Sequence, residues 1–157
     1  MLRISKLTDY ATVILGVMAR GPSSLLSAAE IAERTRIGLP TVSKLLKELQ
    51  RAGLVSSARG SRGGYQLARE PAAISAAAII DAVEGPVALT ECAAHGSHCE
   101  IEASCGVGGA WQRVNAAIRH ALDDVNLNQL IGDEAIACMP PLATGTRTAG
   151  WRPLSRL

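Results

Sequence analysis

Phenylalanine is absent from this sequence, and two tryptophans and two tyrosines are its only aromatic residues. Proteins that read single-stranded nucleic acid stack bases on aromatic rings. With Tyr65 as the sole aromatic side chain in the basic stretch from the helix-turn-helix to the wing, that mode is not expected. Long apolar runs are also missing. The opening "MLRISKLTDYATVILGVMAR" is interrupted by Arg3, Lys6, Asp9 and Arg20, too polar for a signal-peptide core or a membrane span. The expectation is a cytoplasmic protein with no membrane partner. Catalytic signatures are lacking as well: there is no G-x-S-x-G, no phosphate-cradling loop and no H-E-x-x-H. An H-x-E occurs at His98–Glu100, but without the P-C-x-x-C that a zinc deaminase requires. The chain is therefore not expected to be an enzyme.

What remains is a chain of 157 residues rich in Ala, Leu, Ile and Val, which favours helices. Its net charge of +2 hides a segregation. Residues 1–70 carry eleven Lys and Arg against five Asp and Glu, whereas residues 71–157 carry five against nine. A basic front half suits a polyanion; an acidic second half does not.

Periodicity predicts a first helix over about residues 8–20, stopped by Gly21-Pro22. Ser27-Ala28-Ala29-Glu30 has the spacing of a capping box and opens a short second helix. "RIGLP" supplies a tight turn at Gly38 and a proline near the next helix start. Along "LPTVSKLLKELQRAG", Val42, Leu45, Leu46 and Leu49 form one apolar stripe, and Gly53 falls where a helix-terminating glycine belongs. This is a helix-turn-helix. "LVSSARGSRGGYQLA" then reads as two strands around a glycine-rich loop, a basic wing. The fold class is mainly α: a winged helix-turn-helix with a small β-hairpin wing. Double-stranded DNA is the implied partner, because such a helix fits the major groove and its cations neutralise phosphates. The candidate contacts are Thr41, Ser43, Lys44, Lys47 and Arg51 on the helix, with Arg59 and Arg62 on the wing entering an adjacent minor groove.

"ISAAAIIDAVEGP" predicts a fourth helix ending at Gly85. "TECAAHGSHCEIEASCG" follows, with Cys92, Cys99 and Cys105. In a reducing compartment such clusters bind metal or do redox chemistry more often than they form disulfides. Spacings of six and five intervening residues lack the C-x2-C steps of zinc ribbons. Spacing alone leaves an iron-sulfur cluster, zinc and thiol redox chemistry open. From about residue 109 to 125, Trp111, Val114, Ile118, Leu122 and Val125 form an a/d-like seam on a long helix. His120 reads as a surface or interface residue, Cys138 as a spare thiol, and the Pro-, Gly- and Thr-bearing end as a disordered tail.

The combination of "LTDYATVIL", "LPTVSKLLKELQRAGLVSS", "RGSRGGYQLA", "IIDAVEGPVALTEC" and "C…C…C…W" resembles the winged-helix iron-sulfur transcriptional regulators, the family that includes IscR and NsrR. "LPTVSKLL", "EGPVALTEC" and "WQRVN" look most like the branch regulating SUF-type iron-sulfur assembly. The match runs from Met1 to about Ile131. The resemblance implies a homodimer joined through the long helix and a repressor role, with a cluster, 2Fe-2S or 4Fe-4S, held by Cys92, Cys99 and Cys105. In the isc-operon regulator a histidine three residues after the last cysteine supplies the fourth ligand; here that position is Gly108. In the nitric-oxide sensor an aspartate of the partner subunit does so, and it matches Asp9, which ranks ahead of His98 and His95. The implied organisation is a DNA-binding domain at 1–85, a cysteine-rich cluster loop at 86–108, a dimerisation helix and its end at 109–131, and a tail at 132–157.

Overall fold

The computed structural model of the chain describes residues 4–21, 25–60, 63–89 and 107–132. Helix α1 spans Lys6–Arg20, α2 Ala28–Thr35 and α3 Leu39–Arg51. Strands β1 (Val55–Ala58) and β2 (Gly64–Leu67) pair antiparallel, with Val55 opposite Leu67 and Ala58 opposite Gly64. A short 3-10 turn at Pro71–Ala73 leads to α4 (Ala76–Glu84), and α5 (Gly108–Asp123) and α6 (Leu127–Leu130) follow. This is the expected winged helix-turn-helix with a hairpin wing and a long helix after it.

The core is aliphatic throughout. Ile14 and Leu15 of α1, Ile31 of α2, and Val42, Leu45, Leu46 and Leu49 of α3 close on Ile79 of α4 and on Leu54 and Ile74 from the connections. Each such side chain contributes about 1.5–3 kcal/mol on burial. The last member comes from far along the chain: Leu127 of α6 is fully buried in the same cluster. The backbone holds it there, since Ala76 N–H donates to Val125 O at 2.8 Å and Leu127 N–H to Ile74 O at 2.8 Å.

Four local details differ from the sequence expectation. Helix α1 begins at Lys6 rather than near residue 8, because Ser5 is its N-cap and accepts from Thr8 N–H at 3.3 Å. The turn before α3 bends at Arg36, whose φ of 58° is left-handed, while Gly38 is extended and serves as N-cap. The turn is steadied by Thr35, whose hydroxyl donates to Ile31 O and accepts from Ile37 N–H. The long helix stops at Asp123 rather than near residue 125. Asn126 and Gln129 form a reciprocal capping box, at 3.1 and 2.9 Å, and start a new helix. Val125 therefore belongs to the connection and not to the helical seam. Gly53, as expected, takes the left-handed φ of 69° that ends α3 and turns the chain into the wing.

Candidate nucleic-acid interface

Helix α3 turns its apolar stripe inward, so its remaining side chains face out. At 100° per residue, Pro40, Lys44, Lys47 and Arg51 fall on one outer line, and all four are exposed. Thr41 and Ser43 flank that line and are half-buried. Lys44 and Lys47 hold no salt bridge among the described residues. Arg51 pairs with Glu48 at 3.2 Å, a one-turn contact with the arginine side chain 74% exposed. Such a pair contributes only a few tenths of a kcal/mol, so a phosphate can displace it.

The wing is tied to this helix and to the segment before α2. Gln50 of α3 donates to the Ser57 hydroxyl of β1 at 2.9 Å. Tyr65 of β2 and Leu26 exchange two backbone hydrogen bonds, at 2.8 and 2.9 Å. Gly64 permits that approach, for a Cβ there would lie 2.8 Å from the carbonyl oxygen of Leu26. Arg59 is exposed at the tip of β1, followed by a turn in which Gly63 N–H donates to Gly60 O at 2.9 Å. Arg62 lies outside the described residues. The structure thus places Thr41, Ser43, Lys44, Lys47 and Arg51 on one side of α3 and Arg59 on the wing pinned to it.

Sequence reading passed over Pro40, Gln50 and Leu39. Pro40 was read only as a helix-start residue, although its wheel position places it level with Lys44. Leu39 is 46% exposed in the first turn of α3. Gln50 had no signal, since its partner Ser57 is fixed only by the turn at Gly53.

Cys92, Cys99, Cys105, His95, His98 and Cys138 lie outside the described residues. Among the described residues no three His, Cys, Asp or Glu side chains converge as a metal site. What surrounds the cysteine segment is defined. The chain leaves α4 through Gly85, and Leu89 N–H donates to Asn115 Oδ1 of α5 at 3.2 Å. Arg119 of α5 binds Asp81 of α4 at 2.7 Å and reaches Asp123 at 3.3 Å. The hydrogen bond that Arg119 donates to Asp81 raises its guanidinium further above the ordinary range, against the opposing effect of burial. Both ends of the segment are thereby fixed against α4 and α5. Asp9, in the first turn of α1, is exposed, and its carboxylate has no hydrogen-bond or ion-pair partner among the described residues. It borders a groove of about 1020 Å³ between α1, α4 and the end of α5, lined also by Ile4, Ile80 and Leu122.

The profile of the Rrf2 family, described as iron-dependent transcriptional regulators, matches residues 4–133. This chain belongs to the Rrf2 family. It is 33% identical over 137 residues to the HTH-type transcriptional regulator IscR of Vibrio atlanticus, covering 86% of this chain and 78% of that protein. Against IscR of Klebsiella pneumoniae the identity is 29% over 136 residues, with 86% and 83% covered. Among solved structures, CymR (YrzC), described as the global cysteine regulator of B. subtilis, superposes with a TM-score of 0.62 at 29% identity, covering 86% of this chain and all of that one. IscR of T. potens gives 0.60 at 29% identity, with 88% and 93% covered. An Rrf2 chain with this winged helix is a DNA-binding transcriptional regulator and not an enzyme. No helix among the described residues is long and apolar enough to cross a membrane.

Proposed function

We propose that this regulator is a homodimeric repressor in the cytoplasm, and that Cys92, Cys99 and Cys105 hold an iron-sulfur cluster whose presence sets its affinity for a palindromic operator. The observation that carries the reading is Asp9. It is a solvent-facing carboxylate without a partner among the described residues, on a helix whose N-cap Ser5 donates its N–H to Glu84 at the end of α4, where the chain turns towards the cysteine segment. Three thiolates with one oxygen donor suit a labile cluster, and that donor set fits the residues present. The bound group would supply redox- and ligand-sensitive iron, responsive to iron, oxygen or nitric oxide. The chain's own residues would do the rest. Asp9 of the partner subunit would join one protomer's cysteine segment to the other's head. The α3 crest, with Lys44, Lys47 and Arg51, would enter the major groove while Arg59 and Arg62 reach the flanking minor groove. The likeness to IscR and the motifs "EGPVALTEC" and "WQRVN" support SUF-type iron-sulfur assembly genes as the targets.

Dimerisation is supported by α5, which has no buried residue and leaves Trp111 and Val114 at 45% and 44% exposure. Ile4 and Leu130, which line the groove, and Val13 of α1 are exposed as well. A second copy's α5 has the length and apolar face to cover them.

Anaerobic purification tests the cofactor. Stoichiometric iron and sulfide with visible charge-transfer absorbance are expected, lost on replacing any of the three cysteines by alanine. Asp9→Ala should preserve the dimer and change the spectrum. A colourless protein holding stoichiometric zinc would overturn the reading. The alternative is the same cysteines acting as a zinc or thiol switch, which their spacing also allows, and metal and sulfide analysis separates the two.

A further inference from the structure

Among the described residues, three helices begin with a side-chain cap answered by a second group. In α2 the pair is local: Ser27 accepts from Glu30 N–H, and the Glu30 carboxylate accepts from Ser27 N–H at 2.8 Å. In α6 it is again local, between Asn126 and Gln129. In α1 it is not. Ser5 caps Thr8 N–H, but the residue three positions on is Thr8, whose side chain is too short to reach back to the Ser5 amide. The missing acceptor comes from elsewhere in the fold. Glu84 Oε1 accepts from Ser5 N–H at 2.9 Å and from the Thr8 hydroxyl. Thr8, at 3% exposure, is the one buried polar residue among those described.

Glu84 is the last residue of α4. A carboxylate there is opposed by the helix dipole, so its own helix does not favour it. The hydrogen bond from Thr8, with that from Ser5 N–H, holds the carboxyl below the ordinary glutamate range against the opposing effect of burial. Beyond it the chain turns at Gly85 towards the cysteine segment, and Asp9 immediately follows Thr8.

We infer that Glu84 is a positioning residue that completes the capping box of α1 from the end of α4 and so couples the cysteine segment to the DNA-binding head. The inference rests on the sensing reading above. While Glu84 is in place, the first turn of α1 is capped and Asp9 has a fixed position. A displacement of the segment that draws Glu84 away leaves the Ser5 amide and the buried Thr8 hydroxyl without an acceptor, which uncaps that turn. Ile14 and Leu15 of the same helix pack in one core with α3, so the capped and uncapped forms present α3 differently. This is the two-state element that a coupling between sites needs.

The test measures Kd for the duplex that the full-length protein selects from a random pool, once with iron and sulfide reconstituted and once with the protein stripped and reduced. The ratio of the two constants is expected at about 5- to 150-fold in the wild type. Glu84→Ala should bring it to near one, and Glu84→Gln, which keeps an acceptor oxygen, should retain most of it. Thr8→Val removes the other half of the contact with little change of shape and should act like Glu84→Ala, which keeps the test available if the alanine variant does not fold. Hydrogen exchange at residues 5–8 should depend on reconstitution in the wild type and be fast in both states of Glu84→Ala. A wild-type ratio retained in Glu84→Ala and Thr8→Val overturns the inference and leaves the sensing reading standing. A ratio of one in the wild type itself removes the sensing reading and the inference with it.

Discussion

Helices α3 and α5 are both amphipathic, of thirteen and sixteen residues, yet α3 buries four apolar side chains fully and α5 buries none. The apolar stripe of α3 is met from three sides by α1, α2 and α4, which leaves its basic side as free surface. Among the described residues α5 packs chiefly on α4, to which Arg119 ties it through Asp81. One apolar pattern is satisfied within the chain, and the other stays exposed among the described residues. In the proposed reading the exposed seam of α5 is the dimer interface, whereas the exposed cations on α3 are the surface that meets DNA phosphates.

That contrast can be broken at several points. The largest effect is expected from Leu46→Ala: a fully buried leucine lost from the head should lower unfolding free energy by about 2–5 kcal/mol, read by denaturant titration. A change below about 1 kcal/mol would mean the α3 stripe is not the centre of the core. Trp111→Ala should leave the thermal unfolding of the head in place and weaken self-association by about 2 kcal/mol, roughly thirty-fold in dimer Kd by sedimentation. An unchanged dimer Kd would assign the α5 seam some other role. Lys44→Ala should weaken binding to specific and non-specific duplex alike and reduce the slope of log K against log salt by about one. An unaltered slope would take Lys44 off the phosphate path.

Smaller effects sharpen the picture. The Glu84 carboxyl sits below its ordinary range because Thr8 and Ser5 donate to it. The charge-dependent part of its contribution is complete above the unfolded value and is lost as pH falls through the folded one, in a window below about pH 4.3. The Tm advantage of the wild type over Glu84→Ala should therefore be flat from neutral pH to about pH 5 and shrink below pH 4. An advantage undiminished at pH 3 would mean the charge adds nothing to the contact. Glu48→Gln releases Arg51 and should change stability by less than about 0.5 kcal/mol, while duplex affinity rises as a nearby negative charge is removed.

Much of the head was legible in the sequence because its signals are local. The stripe at Val42, Leu45, Leu46 and Leu49, the capping box at Ser27 and Glu30, and the glycine after α3 each act within a turn or two of the chain. The wing followed from two short alternating runs around glycines. The start of α1 was misplaced because its cap is shared: Ser5 is local, but Glu84 lies 79 residues away. The end of α5 was placed too late because Leu122 and Val125 kept the helical spacing, while the pairing of residues 125–127 with 74–76 and the cap at Asn126 had already turned the chain. Of the site, the basic line on α3 was legible from its wheel. The strut from Gln50 to Ser57 was not, because it joins a helix to a strand across a turn.

By itself the sequence determined the helix-turn-helix, the wing, the segregation of charge and the amphipathic character of α5, because capping, periodicity and turn chemistry are set by residues near one another. Only the tertiary structure decided which apolar face was already covered, that Leu127 returns to the core of the head, and that the first turn of α1 is capped from α4. Those depend on the meeting of segments far apart in the chain, where burial and an unsatisfied donor, rather than local propensity, choose the partner.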